Sequence, residues 1–240
     1  MPKVEVCLSP ALLHLHDIAE SIVVVIDVLR ATSSITYGIE NGAAAIIPVM
    51  RVEDCANYAG KGYLLAAERN GEVVPGYDFG NSPFSYTADK VAGKTIVLTT
   101  TNGTKAMRMA QERAAQVIVG SFLNLSAICQ YLIGENKDVL LLCAGWKDNF
   151  NLEDTLYAGA VAQQLQGTFS LNDDASVAAI DMYELAKDNL RAYLQKSSHS
   201  HRLVKLNIEA DVQFCLNIDS CKCVPILREE KILQLSTVAV

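Results

Sequence analysis

One pattern occurs three times along this chain and constrains its fold more than any other feature. A short aliphatic run meets a polar loop, and the loop opens into a helical stretch. The first unit is the run 22–26, the loop 27–34 and a helix to Glu40, followed after Gly42 by a new apolar run over 43–49. The second is the run 95–98, the loop 99–104 and a helix from Lys105 to about Ala114, with a new strand over 116–119. The third is the run 139–142, the loop 143–148 and a helix beginning near Leu152. Unbroken β-branched and aliphatic runs are expected where a strand is covered on both faces. Helices between such strands make βαβ units. The expected fold is α/β, a three-layer α/β/α arrangement with a mostly parallel or mixed central sheet. It is read as one domain over 1–240, with room for two subdomains that the sequence does not separate. In open α/β sheets ligands sit at the carboxyl ends of strands beside helix N-termini, so the three polar loops are expected to share one site.

Composition supports a folded enzyme-sized domain. With 50% hydrophobic and 20% charged residues in 240, the chain can bury a substantial core. The net charge of −7 argues against generic nucleic-acid binding, which needs clustered Lys and Arg. A local set of donors can still receive an anionic small molecule. The longest apolar run, Ile22–Ile26, is far too short to span a bilayer, and residues 1–10 carry no signal-peptide pattern. Seven cysteines at irregular spacings, with Cys221 and Cys223 as the one close pair, read as buried thiols in a reducing compartment. The expectation is a cytoplasmic protein with no nucleic-acid or membrane partner; a homo-oligomer is compatible with the sequence.

Each loop carries chemistry. Thr101, Asn102, Gly103 and Thr104 precede a helix, and their free N–H groups and hydroxyls suit an anion. The alternative is a plain helix cap by Asn102 or Thr104. Asp27 ends a buried run and is followed by Arg30, Thr32, Ser33 and Ser34. A carboxylate there is costly unless paired or used, and Arg suits phosphate or carboxylate oxygens. The alternative is an internal Asp27–Arg30 ion pair. Haloacid dehalogenase-type phosphatases also place an aspartate at such a strand end, but their second aspartate is replaced here by Leu29. Glu68 and Arg69 repeat the acid–base theme, and Asp148, Glu153 and Asp154 bring carboxylates to the third loop. Helix-dipole stabilisation would explain Glu153 or Asp154 singly. Carboxylates from three loops together suit Mg²⁺ shared with phosphate oxygens. The Gly- and Pro-dense segment 74–83 reads as a long ordered loop, and His199 and His201 as residues of a substrate loop.

The ordered set of segments resembles the 2-phosphosulfolactate phosphatase family. The resemblance rests on 25–33, Glu68-Arg69, 76–83, 99–104, 143–145, 152–154 with Ala158-Gly159, and, toward the end, Asp211-Val212, Cys215, Asp219 and Val224-Pro225. The family usually has glycines around the Glu-Arg pair, where this chain has Ala66, Ala67 and Asn70. The resemblance implies a Mg²⁺-dependent hydrolase that converts 2-phospho-3-sulfolactate to 3-sulfolactate and phosphate, an early step of coenzyme M synthesis in organisms that make it. On that basis Asp27 and Arg30 are the expected catalytic pair. Mg²⁺ is assigned to Asp27 and Glu68 with Glu153 or Asp154. Arg30, Thr101, Asn102, Gly103 and Thr104, helped by Thr32 and Ser33, are expected on the phosphoryl group. Arg69, Asn81 and Ser82 are expected on the substrate's carboxylate or sulfonate. Asp27 is alternatively a nucleophile. The competing functions are a phosphatase for another small phosphorylated acid and a non-catalytic anion-binding module.

Overall fold

The aliphatic runs become strands buried on both faces, with alternate residues serving different layers. Ile22, Val24 and Ile26 enter one core, while Val23 and Val25 enter another. Burying one such side chain contributes about 1.5–3 kcal/mol, which is why these runs tolerate no polar residue. The computed structural model describes residues 1–199, 206 and 208–235.

The strands in chain order are β1 (Lys3–Cys7), β2 (Ile22–Ile26), β3 (Ala45–Pro48), β4 (Leu64–Arg69), β5 (Glu72–Val73), β6 (Thr95–Thr99), β7 (Gln116–Gly120), β8 (Val139–Cys143), β9 (Ser170–Leu171), β10 (Pro225–Arg228) and β11 (Lys231–Gln234). The helices are α1 (Ala31–Glu40), α2 (Val52–Ala56), α3 (Ala88–Val91), α4 (Gly103–Gln111), α5 (Leu125–Glu135), α6 (Leu152–Leu165), α7 (Asp174–Ala186), α8 (Leu190–Leu194) and α9 (Glu209–Cys215). The strands form one mixed sheet in the order β5-β4-β6-β3-β11-β10-β7-β2-β8-β1-β9. Strands β7, β2, β8, β1 and β9 run parallel to one another, as do β4, β6 and β3. The hairpin β10–β11 pairs antiparallel with β7 on one side and with β3 on the other. The two parallel halves therefore run in opposite directions within the sheet.

Twist brings their ends back together. Each strand-to-strand step turns a sheet by roughly 20–25°, so the six steps from β2 to β4 sum to about 120–150°. Rotation of that size nearly reverses strand direction and folds one half over the other. One core confirms the curl: it joins Ala66, Ile96 and Leu98 of one half to Val23, Val25, Leu140 and Leu142 of the other, through Ile35 of α1 and Met107 of α4. Helices α5, α6 and α7 cover the far face of the β2–β8–β1 half, and Cys55 of α2 packs on the far face of the other. Helices thus lie on both sides of the sheet, as expected. Among the described residues no helix is long and apolar enough to cross a membrane.

The three strand–loop–helix units fold as read, with shifted bounds: α4 begins at Gly103 and ends at Gln111. Three differences have physical causes. Strand β7 follows α4 but pairs with β2 and β10, so the second unit is not a closed βαβ crossover. Residues 175–195 read by sequence as one helical region, but they break into α7 and α8 because Asn189 caps a new start, its side chain accepting from Ala192 N–H. The segment from 203 onward reads by sequence as short strands and turns, but it also holds α9.

Candidate active site

The loop after β2 is built by its own hydroxyls. Asp27 N–H donates to Thr32 Oγ1 at 3.1 Å, and Thr32 N–H donates back to Asp27 O at 2.9 Å. Ser33 Oγ donates to Val28 O at 2.8 Å, and Ser34 Oγ to Asn81 O at 2.9 Å. Thr32 and Ser33 therefore shape the loop that presents Asp27. Arg30 does not pair with Asp27. Its guanidinium forms a buried ion pair with Asp211 of α9 and donates from Nη2 to Gly71 O at 2.8 Å. Asp211 also accepts from Ser82 Oγ at 3.0 Å, which draws Ser82 behind Arg30.

At the end of β4, Glu68 accepts from Gly71 N–H and, at 3.3 Å each, from the N–H and Oγ1 of Thr101. Gly71 adopts φ +91°, open to glycine and not to most side chains, and so lets the chain turn back onto the carboxylate. Arg69 points elsewhere, donating to Glu68 O at 2.6 Å and Thr99 Oγ1 at 3.1 Å.

The loop after β6 closes through Thr100 and Thr104. Thr104 N–H donates to Thr100 Oγ1 at 3.2 Å, and Thr104 Oγ1 donates to Thr100 O at 3.1 Å. Asn102 makes no side-chain cap; its Oδ1 accepts from Lys147 N–H at 3.1 Å and ties this loop to the one after β8. Gly103 sits against Asp27: a Cβ there would come within 2.8 Å of Asp27 Oδ2 and of Ala31 Cβ. The start of α4 is thereby held directly behind the Asp27 carboxylate.

In the third loop, Asp154 accepts from Val28 N–H at 2.9 Å, Gly145 N–H at 3.1 Å and Asn151 Nδ2 at 2.9 Å. Its carboxylate is used up in locking the β2 and β8 loops together. Glu153 is fully buried and accepts a hydrogen bond from Nδ1 of His199, whose ring lies 5.9 Å from that of Trp146 at 30°. Asp148 forms a half-exposed pair with Lys105 at 2.7 Å.

Asp27, Arg30, Glu68, Asn81, Thr101 and His199 line one small cavity of about 30 Å³. That is room for roughly one water. Asn102 and Trp146 complete its rim. Larger grooves of about 920 and 930 Å³ exist on the surface, but they are shallow, and four of the charges along the first pair with each other, Arg51 with Asp54 and Arg108 with Glu230. Size does not mark the chemistry here; buried charge does.

Burial pushes the Asp27 carboxyl up to about 7; nearby His199 resists that rise, Glu68 adds to it, the Ala31 N–H opposes it, and Glu153 adds again. Burial likewise drives Asp154 well above the usual carboxylate range, with Asp27 and Glu153 adding to it. Negative charge is thus crowded around a nearly closed cavity. Among the described residues no three carboxylate, imidazole or thiol groups surround a common point as a finished ligand set. The oxygens facing the cavity are nevertheless the hard donors that suit Mg²⁺: two carboxylates, Asp27 and Glu68, beside Asn81, whose Oδ1 is buried with no hydrogen-bond partner. Mg²⁺ commonly takes one or two protein carboxylates and completes its shell with water and substrate phosphate.

A sequence model of the family described as 2-phosphosulpholactate phosphatase matches residues 7–230. The chain belongs to the 2-phosphosulfolactate phosphatase family. Relatives named probable 2-phosphosulfolactate phosphatase share that length. One from Thermotoga petrophila is 46% identical over 205 residues, covering 85% of this chain and 88% of its own. One from Caldanaerobacter subterraneus subsp. tengcongensis is 41% identical over 218 residues, covering 89% and 90%. One from Symbiobacterium thermophilum is 36% identical over 231 residues, covering 92% and 97%.

In this member of the 2-phosphosulfolactate phosphatase family, the structure gathers Asp27, Arg30, Glu68, Asn81, Thr101 and Asn102 at the cavity. Thr32, Ser33, Arg69, Ser82, Gly103, Thr104, Glu153 and Asp154 stand behind them, bonded to the protein or packed against it. His201 lies outside the described residues. Sequence reasoning gave no role to Asn151, Trp146 or the Arg30 partner Asp211. Each leaves a trace: Asp211 stands among the segments that carry the family resemblance, Trp146 is the single tryptophan in the chain, and Asn151 stands three residues before the acid it caps.

Proposed function

We propose that this family member hydrolyses 2-phospho-3-sulfolactate to 3-sulfolactate and phosphate with the help of Mg²⁺. The observation that carries this reading is the meeting of Asp27, Glu68 and the unpartnered Asn81 Oδ1 with Arg30 in one buried cavity. Two carboxylates and an amide oxygen suit a divalent cation; an arginine beside them suits a phosphoryl or carboxylate group. The names of its relatives supply the substrate.

Asp27, Glu68 and Asn81 would hold the ion, and Glu153 stands as the partner of His199. When bound, Mg²⁺ supplies positive charge that neutralises phosphoryl oxygens. The protein supplies position. Arg30 is fixed by Asp211 and Gly71 O, so its remaining N–H groups meet the anion without first being ordered. Thr101 gives its N–H and hydroxyl to Glu68, which fixes the loop that leads into α4, where free helix N–H groups favour a phosphate. The substrate exceeds the present cavity, so the site must widen to admit it.

In an organism that makes coenzyme M, this reaction belongs to its synthesis. Seven unpaired, buried cysteines are in keeping with a reducing cytoplasm. The test is phosphate release from 2-phospho-3-sulfolactate by the purified protein, with Mg²⁺ and with EDTA. Release that needs Mg²⁺ is expected. Cleavage of other phosphorylated acids in place of this one would reject the substrate, and release unaffected by EDTA would reject the metal.

A further inference from the structure

We infer that His199 is the acid that protonates the departing ester oxygen, with Glu153 as its positioning residue; this rests on the phosphatase reading above. His199 is buried, and its ring forms part of the wall of the cavity that Asp27, Glu68 and Arg30 also line. Its Nδ1 is committed to Glu153 Oε1, which leaves Nε2 as the nitrogen that can meet a ligand in the cavity. Glu153 is fully buried on the first turn of α6. A buried carboxylate on one ring nitrogen fixes the tautomer and aims the other, the arrangement that general acids and bases require. The tilted Trp146 ring supports the imidazole at 5.9 Å. Among the described residues of the cavity wall, no other group is suited to this task. Asp27 and Glu68 face the expected cation, Arg30 does not release protons, and Asn81, Thr101 and Asn102 are not acids at neutral pH.

The step balances without a further reagent. The bond from phosphorus to the ester oxygen breaks, and the ester oxygen takes the proton from Nε2. A new bond forms from phosphorus to the incoming oxygen. The surplus proton of the consumed water returns to the imidazole through solvent, so the histidine ends as it began.

A leaving group of high basicity needs this proton; acetate does not. The experiment compares kcat and KM of the wild type, His199→Gln and Glu153→Gln on 2-phospho-3-sulfolactate and on acetyl phosphate, each with Mg²⁺. For His199→Gln, kcat on the alkyl ester is expected to fall by about 10²–10⁴-fold. KM should stay within about threefold, and acetyl phosphate turnover within about tenfold, which also shows that the variant folds. Glu153→Gln keeps the ring, and its loss is expected to fall between the two and to be confined to the alkyl ester. Equal losses on both esters, or a rise in KM with kcat unchanged, would overturn the inference in favour of a structural or binding role. No turnover by the wild type would remove the phosphatase reading itself; normal kcat in His199→Gln would remove this inference alone.

Discussion

Replacing Asp27 by Asn should abolish turnover and yet make the metal-free protein more stable. The carboxyl is buried beside Glu68 and Glu153, and its pKa rises from 3.8 to about 7. A raised carboxylate pKa is a penalty on the folded state. It is absent below pH 3.8, grows as pH rises, and is complete above about 7. At 1.36 kcal/mol per unit, the full penalty is about 4 kcal/mol near pH 8 and under about 2 kcal/mol at pH 5. Asparagine has nearly the same shape, carries no charge, and can still accept the Ala31 N–H that Asp27 accepts. Urea unfolding in EDTA should therefore show the variant ahead by up to about 4 kcal/mol at pH 8 and by about half as much or less at pH 5. Equal gains at the two pH values, or a loss at pH 8, would refute the argument that this acid is held against its own desolvation. Added Mg²⁺ should close the gap by stabilising only the wild type.

Asp211→Asn leaves Arg30 buried without its counter-charge, and should cost about 3–5 kcal/mol in denaturant unfolding and raise KM for the anionic substrate. Gly159→Ala places a Cβ 2.0 Å from Ala179 O, where α6 and α7 pack, so the helices must separate; a loss of about 1–3 kcal/mol is expected in thermal or urea melts, with little change in KM. Single turnover in oxygen-18 water separates the two roles open to Asp27: label appearing in Asp27 supports attack by the carboxylate, and label in phosphate alone supports attack by water.

The local units were legible because their signal is local. The run 22–26 is apolar at every position, and only a strand covered on both faces uses such a run. The placing of Asp27 and Glu68 at strand ends followed from the same logic. What the sequence did not disclose is direction and distance. Hydroxyls at Thr32, Ser33 and Thr104 look like ligands in a string of letters, but each spends its bond on the neighbouring backbone. Arg30 stands three residues from Asp27, yet its partner is Asp211, 181 positions away, because helix α9 returns to the loop after β2. Carboxylates near Leu152 suggested a metal; the fold gives Asp154 three N–H donors and Glu153 Oε1 the His199 ring, while Glu153 Oε2 is buried without a hydrogen-bond partner. The meeting of the β2 and β4 ends also needed the curl of a mixed sheet, and twist accumulates over strands whose order no short pattern encodes.

The β10–β11 hairpin sets an order of events for the nascent chain. Residues 225–234 are made after every other strand of this sheet, yet they occupy its middle, between β3 and β7. Until they leave the ribosome, each half-sheet carries an open edge with unpaired N–H and C=O groups, the kind of surface that recruits foreign strands. The halves can form early from local units, but their closure waits on contacts of long sequence separation, which slows folding. A ribosome that stalls before residue 225 would release two sticky half-sheets and no catalytic pocket, since Asp27 and Glu68 lie on opposite sides of the missing hairpin.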